Sequence, residues 1–472
     1  MPDAEKYETL VLGSGEAGKW TAWTMADEGH RTAMVERKWL GGSCPNIACL
    51  PSKNVIYSAR VASLVRRGAE FGLEMDQLRI NMAGVQQRKR KMVEAEHQFH
   101  AKRTADAGVE LIMGEGRFVA PGIIEVALND GGTRRIVGER VFLDLGSHST
   151  MPNVRGLAAV NPMTHIEALD LDRLPRHLIV IGGGYIGLEL AQAIRRFGSD
   201  VTVIEQHAQL AEREDPDVGA ALLDLFHDEG IEVLVGTHVS QVEGHSGKEV
   251  RVYAKEGRGE RIIEGTHLLV SVGRTPNTEG IGLEQVGVEL DKRGYIKVND
   301  RLETTASNVW AMGDCAGSPQ FTHVAYHDFR VVRDNLKGGN RTTKDRIVPF
   351  CMFTDPELAR VGRNETEAKR DKIAYRVAKL PMVNVLRTHT IAEPRGFMKM
   401  LIGKDSDEIV GFTAFGIEAS ELMAAVQTAI VGRLPYTMLR DAIFAHPTMS
   451  EGLVYLLGQV ESRSKETASL QR

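Results

Sequence analysis

Two stretches of the chain share one alternation of apolar runs and glycine-rich turns. Residues 9–36, TLVLGSGEAGKWTAWTMADEGHRTAMVE, read as strand, turn, helix and second strand. Residues 178–205, LIVIGGGYIGLELAQAIRRFGSDVTVIE, read the same way. Each turn is Gly-x-Gly-x-x-Gly, at Gly13, Gly15 and Gly18 and again at Gly182, Gly184 and Gly187. Each second strand ends in an acid, Glu36 or Glu205, and the offset is constant: 182 − 13 = 169 and 205 − 36 = 169. A strand before the glycines, a helix after them and an acid closing the next strand form the context in which this motif binds a dinucleotide. The glycines let the backbone approach a pyrophosphate at the positive end of a helix, and the acid accepts hydrogen bonds from the adenosine ribose. The pattern therefore predicts two dinucleotide-binding βαβ units. A carboxylate at Glu205 bonds a 2′-hydroxyl and repels a 2′-phosphate. No arginine follows it until Arg213, so NADH is expected over NADPH.

The remaining pattern places elements coarsely. Residues 43–70 read as a helix after a Gly-Gly turn, and 81–107 as a second. The run Arg88-Lys89-Arg90-Lys91 in that second helix is read as a solvated face. Strands are expected near 109–113, 117–128, 140–145, 231–235, 239–243, 249–254 and 267–272. Another strand and a turn are expected within 295–316. From 347 onward strands and helices follow without a nucleotide motif, and the polar tail SRSKETASLQR is expected to fray.

Composition narrows the class. A chain of 472 residues suggests about three domains, and 42% hydrophobic residues can fill their cores. The net charge of −5 points to neither nucleic acid nor an anionic membrane surface. No apolar run approaches the ~18 residues of a membrane span. No signal peptide is recognised in MPDAEKYETLVLG, so a cytoplasmic location is expected.

The four cysteines are Cys44, Cys49, Cys315 and Cys351, too few for a secreted disulfide framework. Cys44 and Cys49 lie in Gly41-Gly42-Ser43-Cys44-Pro45-Asn46-Ile47-Ala48-Cys49-Leu50-Pro51-Ser52-Lys53. In a reducing compartment such a pair points to catalysis or metal binding. Five residues of regular helix separate two Cα atoms by roughly 8.6 Å, whereas a disulfide needs about 5.5–6 Å. A bridge here would demand a distorted turn, and Pro45 and Pro51 flank the place for one. Cys315 and Cys351 are read as packing residues.

This cysteine segment resembles the active-site segment of the pyridine nucleotide–disulfide oxidoreductases, among them lipoamide dehydrogenase, glutathione reductase and mercuric reductase. GGGYIGLELA, VSVGRTPNT (270–278), VWAMGDCAG (309–317), FTDPELARVG (353–362) and AHPTMSE (445–451) follow in the family's order over nearly the whole chain. The resemblance implies an α/β fold with two Rossmann-like domains and a C-terminal α+β dimerisation domain. FAD-binding segments are expected at 1–150 and 271–346, an NAD-binding domain at 151–270 and an interface domain at 347–472. FAD would bind the first βαβ unit, with Gly42, Ser43, Gly273, Arg274 and Gly313 beside the cofactors and Asp314 at its ribityl or phosphate region. Lys53 would pair with Glu189 near the flavin. Cys49 would face the flavin as a thiolate, and Cys44 would be the exchanging sulfur. His446, oriented by Glu451, would serve as acid and base for Cys44 across a homodimer interface. Tyr185 would stand as an aromatic gate at the nicotinamide pocket. No role is assigned to His323 or His327 beyond their closeness to a helix start near Thr322.

The chain departs from the family in carrying Ala48 for a glycine, in Pro45, and in having no cysteine after Cys351. FTHVAYHDFRVVRDNL and LPYTMLRDAIFAHPTMSEGL are most similar to the mercuric-reductase-like branch. Metal-ion reduction, of Hg(II) or Cu(II), is therefore the first expectation, with no resident metal site. A disulfide or lipoamide reductase and a redox-sensing flavoprotein are the alternatives.

Overall fold

A computed structural model describes residues 4–257 and 259–461; the expected frayed tail lies outside the described residues. The first apolar run forms the strand Glu5–Leu12, whose last four residues are fully buried. It pairs in parallel with Thr32–Glu36 on one side and Thr133–Leu143 on the other. Glu110–Ala120 extends the sheet beyond Thr32–Glu36, and Val309–Ala311 extends it beyond Thr133–Leu143. A strand distant in sequence thus returns to the first sheet. The second βαβ unit builds a separate parallel sheet in the order 267–270, 177–181, 200–204 and 232–234. A three-stranded antiparallel sheet, 237–245, 249–256 and 259–265, follows it. The C-terminal part is a five-stranded antiparallel sheet under the helix Ala419–Val431. The architecture is mixed α/β, as the pattern predicts.

Three local expectations are corrected. Residues 117–128 are not one strand: Glu110–Ala120 and Ile123–Leu128 form a hairpin, turning at Pro121-Gly122 where Gly122 takes φ +68°. The strand Gly259–Gly265, GERIIEG, is charged at Glu260, Arg261 and Glu264 and was not anticipated. The basic run is not wholly solvated. Arg88, Arg90 and Lys91 are exposed, but Lys89 is buried, donating to Leu169 O at 2.7 Å and pairing with Asp170. Helical spacing turns one of four successive residues inward.

The helix Cys49–Arg66 positions the chemistry because it is packed on two sides. Its Val55, Ala59 and Ala62 share a core with Leu178 and Val180 of the second parallel sheet and with Met352 and Phe415 of the C-terminal sheet. The start of this helix is therefore fixed where three units meet.

Candidate active site

The expected single helix over 43–70 is broken where the disulfide argument demands it. Ser43–Asn46 forms one turn, Ile47 and Ala48 leave helical geometry, and a new helix starts at Cys49. Ala48 sits at φ −129° and ψ −99°, outside both the extended and the helical regions, which marks the break. The segment after this break runs as Cys49–Arg66 and then a short 3₁₀ turn, Gly68–Phe71. Asn46 Nδ2 donates to Leu40 O at 2.9 Å and Gly42 O at 2.8 Å, closing the loop on itself. Gly42 has φ +78°, and a Cβ there would lie 2.6 Å from the Cα of Gly15. The cysteine loop thus rests directly on the first glycine-rich turn.

Cys44 and Cys49 are free, half-buried thiols in mutual hydrogen-bonding contact. The hydrogen bond from Cys44 is the main cause that pulls Cys49 below an ordinary thiol pKa, against its burial. The Thr322 hydroxyl, 3.4 Å from Cys49 Sγ, and the Lys53 ammonium add to it. The same hydrogen bond, with burial, pushes Cys44 up. Thr322 opens the helix Thr322–Leu336, so a helix N-terminus faces the sulfur; such ends favour a thiolate. The helix start near Thr322 was legible in the chain, but nothing there announced its hydroxyl contact with Cys49.

Lys53 and Glu189 meet as expected, with Nζ–Oε2 at 2.7 Å and side-chain exposures of 33% and 6%. Glu189 also accepts from the Phe353 amide at 2.7 Å, and Lys53 Nζ lies 4.8 Å from the Phe353 ring centre. His446 Nδ1 lies 2.9 Å from Glu451 Oε2, and Tyr455 donates to Glu451 at 2.8 Å. These hydrogen bonds, that of His446 foremost, hold Glu451 below the usual carboxylate range. The His446 side chain is 60% exposed on the C-terminal unit. Tyr185 donates to Glu214 at 2.8 Å, and buried Arg360 pairs with Glu214 at 3.1 Å.

Both nucleotide turns fit their cofactors. The helices Glu16–Asp27 and Tyr185–Phe197 begin on Gly15 and Gly184, which have no side chain to cap them; Asp144 takes the Gly18 amide of the first, and the amides ahead of it are left for an anion. Gly13 and Gly182 have φ of +93° and +111°, and added Cβ atoms would fall 2.1 Å from Asp144 O and 2.6 Å from Ser271 O. At Gly184 an added Cβ meets only open space. Gly18 and Gly187 let each helix close onto its own turn, since Cβ atoms there would lie 2.1 Å from Gly13 O and 2.2 Å from Gly182 O. Glu36 is buried and accepts from Ser14 N and Oγ and from the Lys38 and Trp39 amides. Glu205 is equally buried and accepts from Gly183 N at 2.6 Å and His207 N at 2.7 Å. Arg274, next to Gly273, donates to Ser147 Oγ at 2.8 Å and lies 3.8 Å from Asp314. Asp328 accepts from the amide of Gly313, which leads into Asp314, at 2.9 Å. Ser43 is exposed at the start of the cysteine turn.

Of the residues left without roles, the two cysteines pack into hydrophobic cores. Cys315 is fully buried and donates to Met312 O at 3.3 Å; burial pushes its thiol up to about 12. Cys351 is part-buried, and burial raises its pKa too. His323 bonds Pro349 O at 2.8 Å, and burial lowers both His323 and His327. A cleft of about 810 Å³ lies elsewhere, between Arg67, Arg196, Glu229, Asp355 and Glu393. Ion pairs at 2.6 Å (Arg67–Glu393) and 2.7 Å (Arg196–Glu229) tie its walls, and it contains none of the candidate residues. No described helix is long and apolar enough to cross a membrane. Among the described residues no group of three or more His, Cys, Asp or Glu is arranged to hold a metal ion.

Two dinucleotide folds joined to a paired-cysteine turn define a flavoprotein disulfide reductase. Comparison with known proteins gives the family. Residues 7–328 match the pyridine nucleotide-disulphide oxidoreductase model, and 348–457 match that family's dimerisation domain. The chain belongs to this family, and is accordingly an FAD-dependent oxidoreductase that uses a pyridine nucleotide. It is 32% identical to the probable pyridine nucleotide-disulfide oxidoreductase RclA of Escherichia coli, over 97% of this chain and 100% of that one. It is 34% identical to a mercuric reductase of Acidithiobacillus ferrooxidans, over 96% and 82% of the two chains. The solved Cu(II) complex of the HOCl-induced flavoprotein disulfide reductase RclA superposes with a TM-score of 0.88 at 31% identity, covering 97% of this chain and all of that one.

Proposed function

We propose that this chain oxidises NADH and delivers the electrons through Cys44 and Cys49 to a thiophilic metal ion, Hg(II), or Cu(II) that becomes soft Cu(I) on reduction. The observation that carries the reading is the half-buried sulfur pair, with Cys49 poised as a thiolate against Thr322 and Lys53. Soft thiolates suit such ions. The relation to mercuric reductases and to a flavoprotein solved with Cu(II) supports it. FAD, when bound, accepts hydride from NADH and passes an electron pair on. The balance is NADH + H⁺ + disulfide giving NAD⁺ and two thiols. Two electrons then reduce one Hg(II) to Hg(0), or two Cu(II) to two Cu(I), and the disulfide re-forms with loss of two protons.

In this reading Glu36 and Glu205 hold the two adenosine riboses, and Glu205 selects NADH by repelling a 2′-phosphate. Asp314 and Arg274 orient the FAD ribityl region, Lys53 held by Glu189 sits at the flavin, and Tyr185 gates the nicotinamide. Cys44 exchanges with the acceptor, and His446 of a partner chain moves its proton. The domain limits are the sequence-based ones, 1–150 with 271–346, then 151–270 and 347–472; the pairing of Val309–Ala311 with Thr133–Leu143 supports a divided FAD domain. A reducing cytoplasm is the setting in which such a pair cycles.

The test is NADH turnover with Hg(II), Cu(II), lipoamide and glutathione disulfide in parallel, trapping Hg(0) or chelated Cu(I) as product. Metal-dependent turnover that Cys44→Ser removes is the expected result. Turnover with a disulfide alone overturns the metal reading, and turnover with none of the four favours a redox sensor.

A further inference from the structure

Asp144 closes the apolar run VFLDL at the end of strand Thr133–Leu143 and is only 7% exposed. Its carboxyl lies under the first glycine-rich turn. Oδ2 accepts from the Gly18 amide at 2.7 Å, and a Cβ on Gly15 would lie 2.6 Å from the same oxygen. Gly18 is the third residue of the helix Glu16–Asp27, so Asp144 occupies one of the amides at the end where a diphosphate is expected. Oδ1 faces the other wall, since a Cβ on Gly313 would lie 3.0 Å from it, and among the described residues it has no hydrogen-bond partner.

The charges around it make ionisation hard. Glu16 faces it from the helix, Asp314 from the turn Gly313–Ala316 and Asp328 from the helix Thr322–Leu336; the buried Cys315 thiol is also near. Each neighbouring acid has a cation: Lys19 lies 2.9 Å from Glu16, Arg274 lies 3.8 Å from Asp314, and Arg346 lies 2.6 Å from Asp328. Asp144 forms no ion pair among the described residues. Burial, its largest influence, raises it to about 7 against the pull of the Gly18 amide. A diphosphate at the same helix end would add two negative charges and raise it further.

We infer that Asp144 is held as the neutral acid in the FAD-bound protein, its hydroxyl donating to the FAD diphosphate, so that FAD binding takes up one proton at this side chain. The sign follows from linkage. A carboxyl with a raised pKa favours the bound state while it is protonated, and that contribution is lost as pH rises through the bound-state pKa. FAD affinity is therefore flat below about pH 7 and falls by up to about tenfold per pH unit above it.

The experiment uses the holoenzyme. FAD release is followed by flavin fluorescence on dilution across this pH range, for the wild type and Asp144→Asn. The wild type is expected to show the fall, and the isosteric amide, which donates without titrating, to abolish it. Equal slopes in the two proteins overturn the inference. Infrared difference spectra of wild-type protein before and after FAD release at about pH 8 provide a measurement that does not depend on the variant folding. Loss of a protonated-carboxyl carbonyl band on release supports the inference. Its absence from the bound form refutes it.

Discussion

At Cys49 a single sulfur is governed by two neighbours close in the chain, Cys44 and Lys53, and by one from far along it, Thr322. Because its pKa is depressed, the thiolate's contribution is present above the ordinary thiol range and is lost as pH falls through the lowered folded value. A hydrogen bond to a charged group is worth about 1.5–3 kcal/mol, and 1.36 kcal/mol corresponds to about one pKa unit. Thr322→Val should therefore raise the pH midpoint of the thiolate–flavin charge-transfer absorbance by about one to two units. That midpoint is read by spectrophotometric titration of the reduced enzyme, and an unmoved midpoint would remove Thr322 from the donor set. Glu205 invites a second substitution. Its carboxylate holds the Gly183 and His207 amides, so its charge is fixed at the edge of the second turn. Removing a like-charge clash worth several kcal/mol, Glu205→Arg should raise the ratio of kcat/KM for NADPH over NADH by at least about tenfold. Measuring both nucleotides at equal flavin content checks it, and an unchanged ratio would locate the selectivity elsewhere.

Among the elements, the cysteine turn depends on Gly42. Its left-handed backbone and its approach to Gly15 Cα leave no room for a side chain. Gly42→Ala should cost about 1–3 kcal/mol and lower the flavin content as the two turns separate. The melting temperature and the flavin-to-protein absorbance ratio report the two effects, and a variant with normal values of both would show that the turns are not coupled. This contact also marks the limit of what the chain discloses. The βαβ units were legible because glycine spacing, strand apolarity and the closing acid are all local. The break at Ile47–Ala48 was legible as a requirement, from the length of a helical rise set against that of a disulfide. Lys89 was misread because a charge run has no sign of which residue turns inward until Leu169 and Asp170 arrive from another element. The strand Gly259–Gly265 was missed because its charges obscure any alternation. Asp144 drew no notice either, although an acid inside an apolar run is itself a signal, since burial of a carboxylate is costly without a purpose.

Across the whole molecule, the most telling fact is that His446 points outward. It is 60% exposed, yet its Nδ1 is held by Glu451, which Tyr455 holds in turn. A histidine held at one nitrogen leaves the other free to exchange a proton, and the unit that carries it matches a dimerisation domain. Exposed apolar residues on the same unit, Val431, Met438 and Ile443 among them, offer a surface for a second chain. If that chain brings its Cys44 to His446, each active site needs two subunits. General acid–base help is worth roughly 10²–10⁴ in rate. His446→Ala should therefore slow acceptor reduction by about that factor, with NADH-to-flavin transfer nearly unchanged in stopped flow. Complementation is the sharper test. Cys44→Ser and His446→Ala chains are each impaired as homodimers, but a heterodimer holds one site with both residues intact. Co-expressed chains with different affinity tags, purified through both, should recover up to about half of the wild-type turnover. Heterodimers no more active than the better parent would place His446 in the same subunit as the cysteine it serves, or outside the reaction altogether.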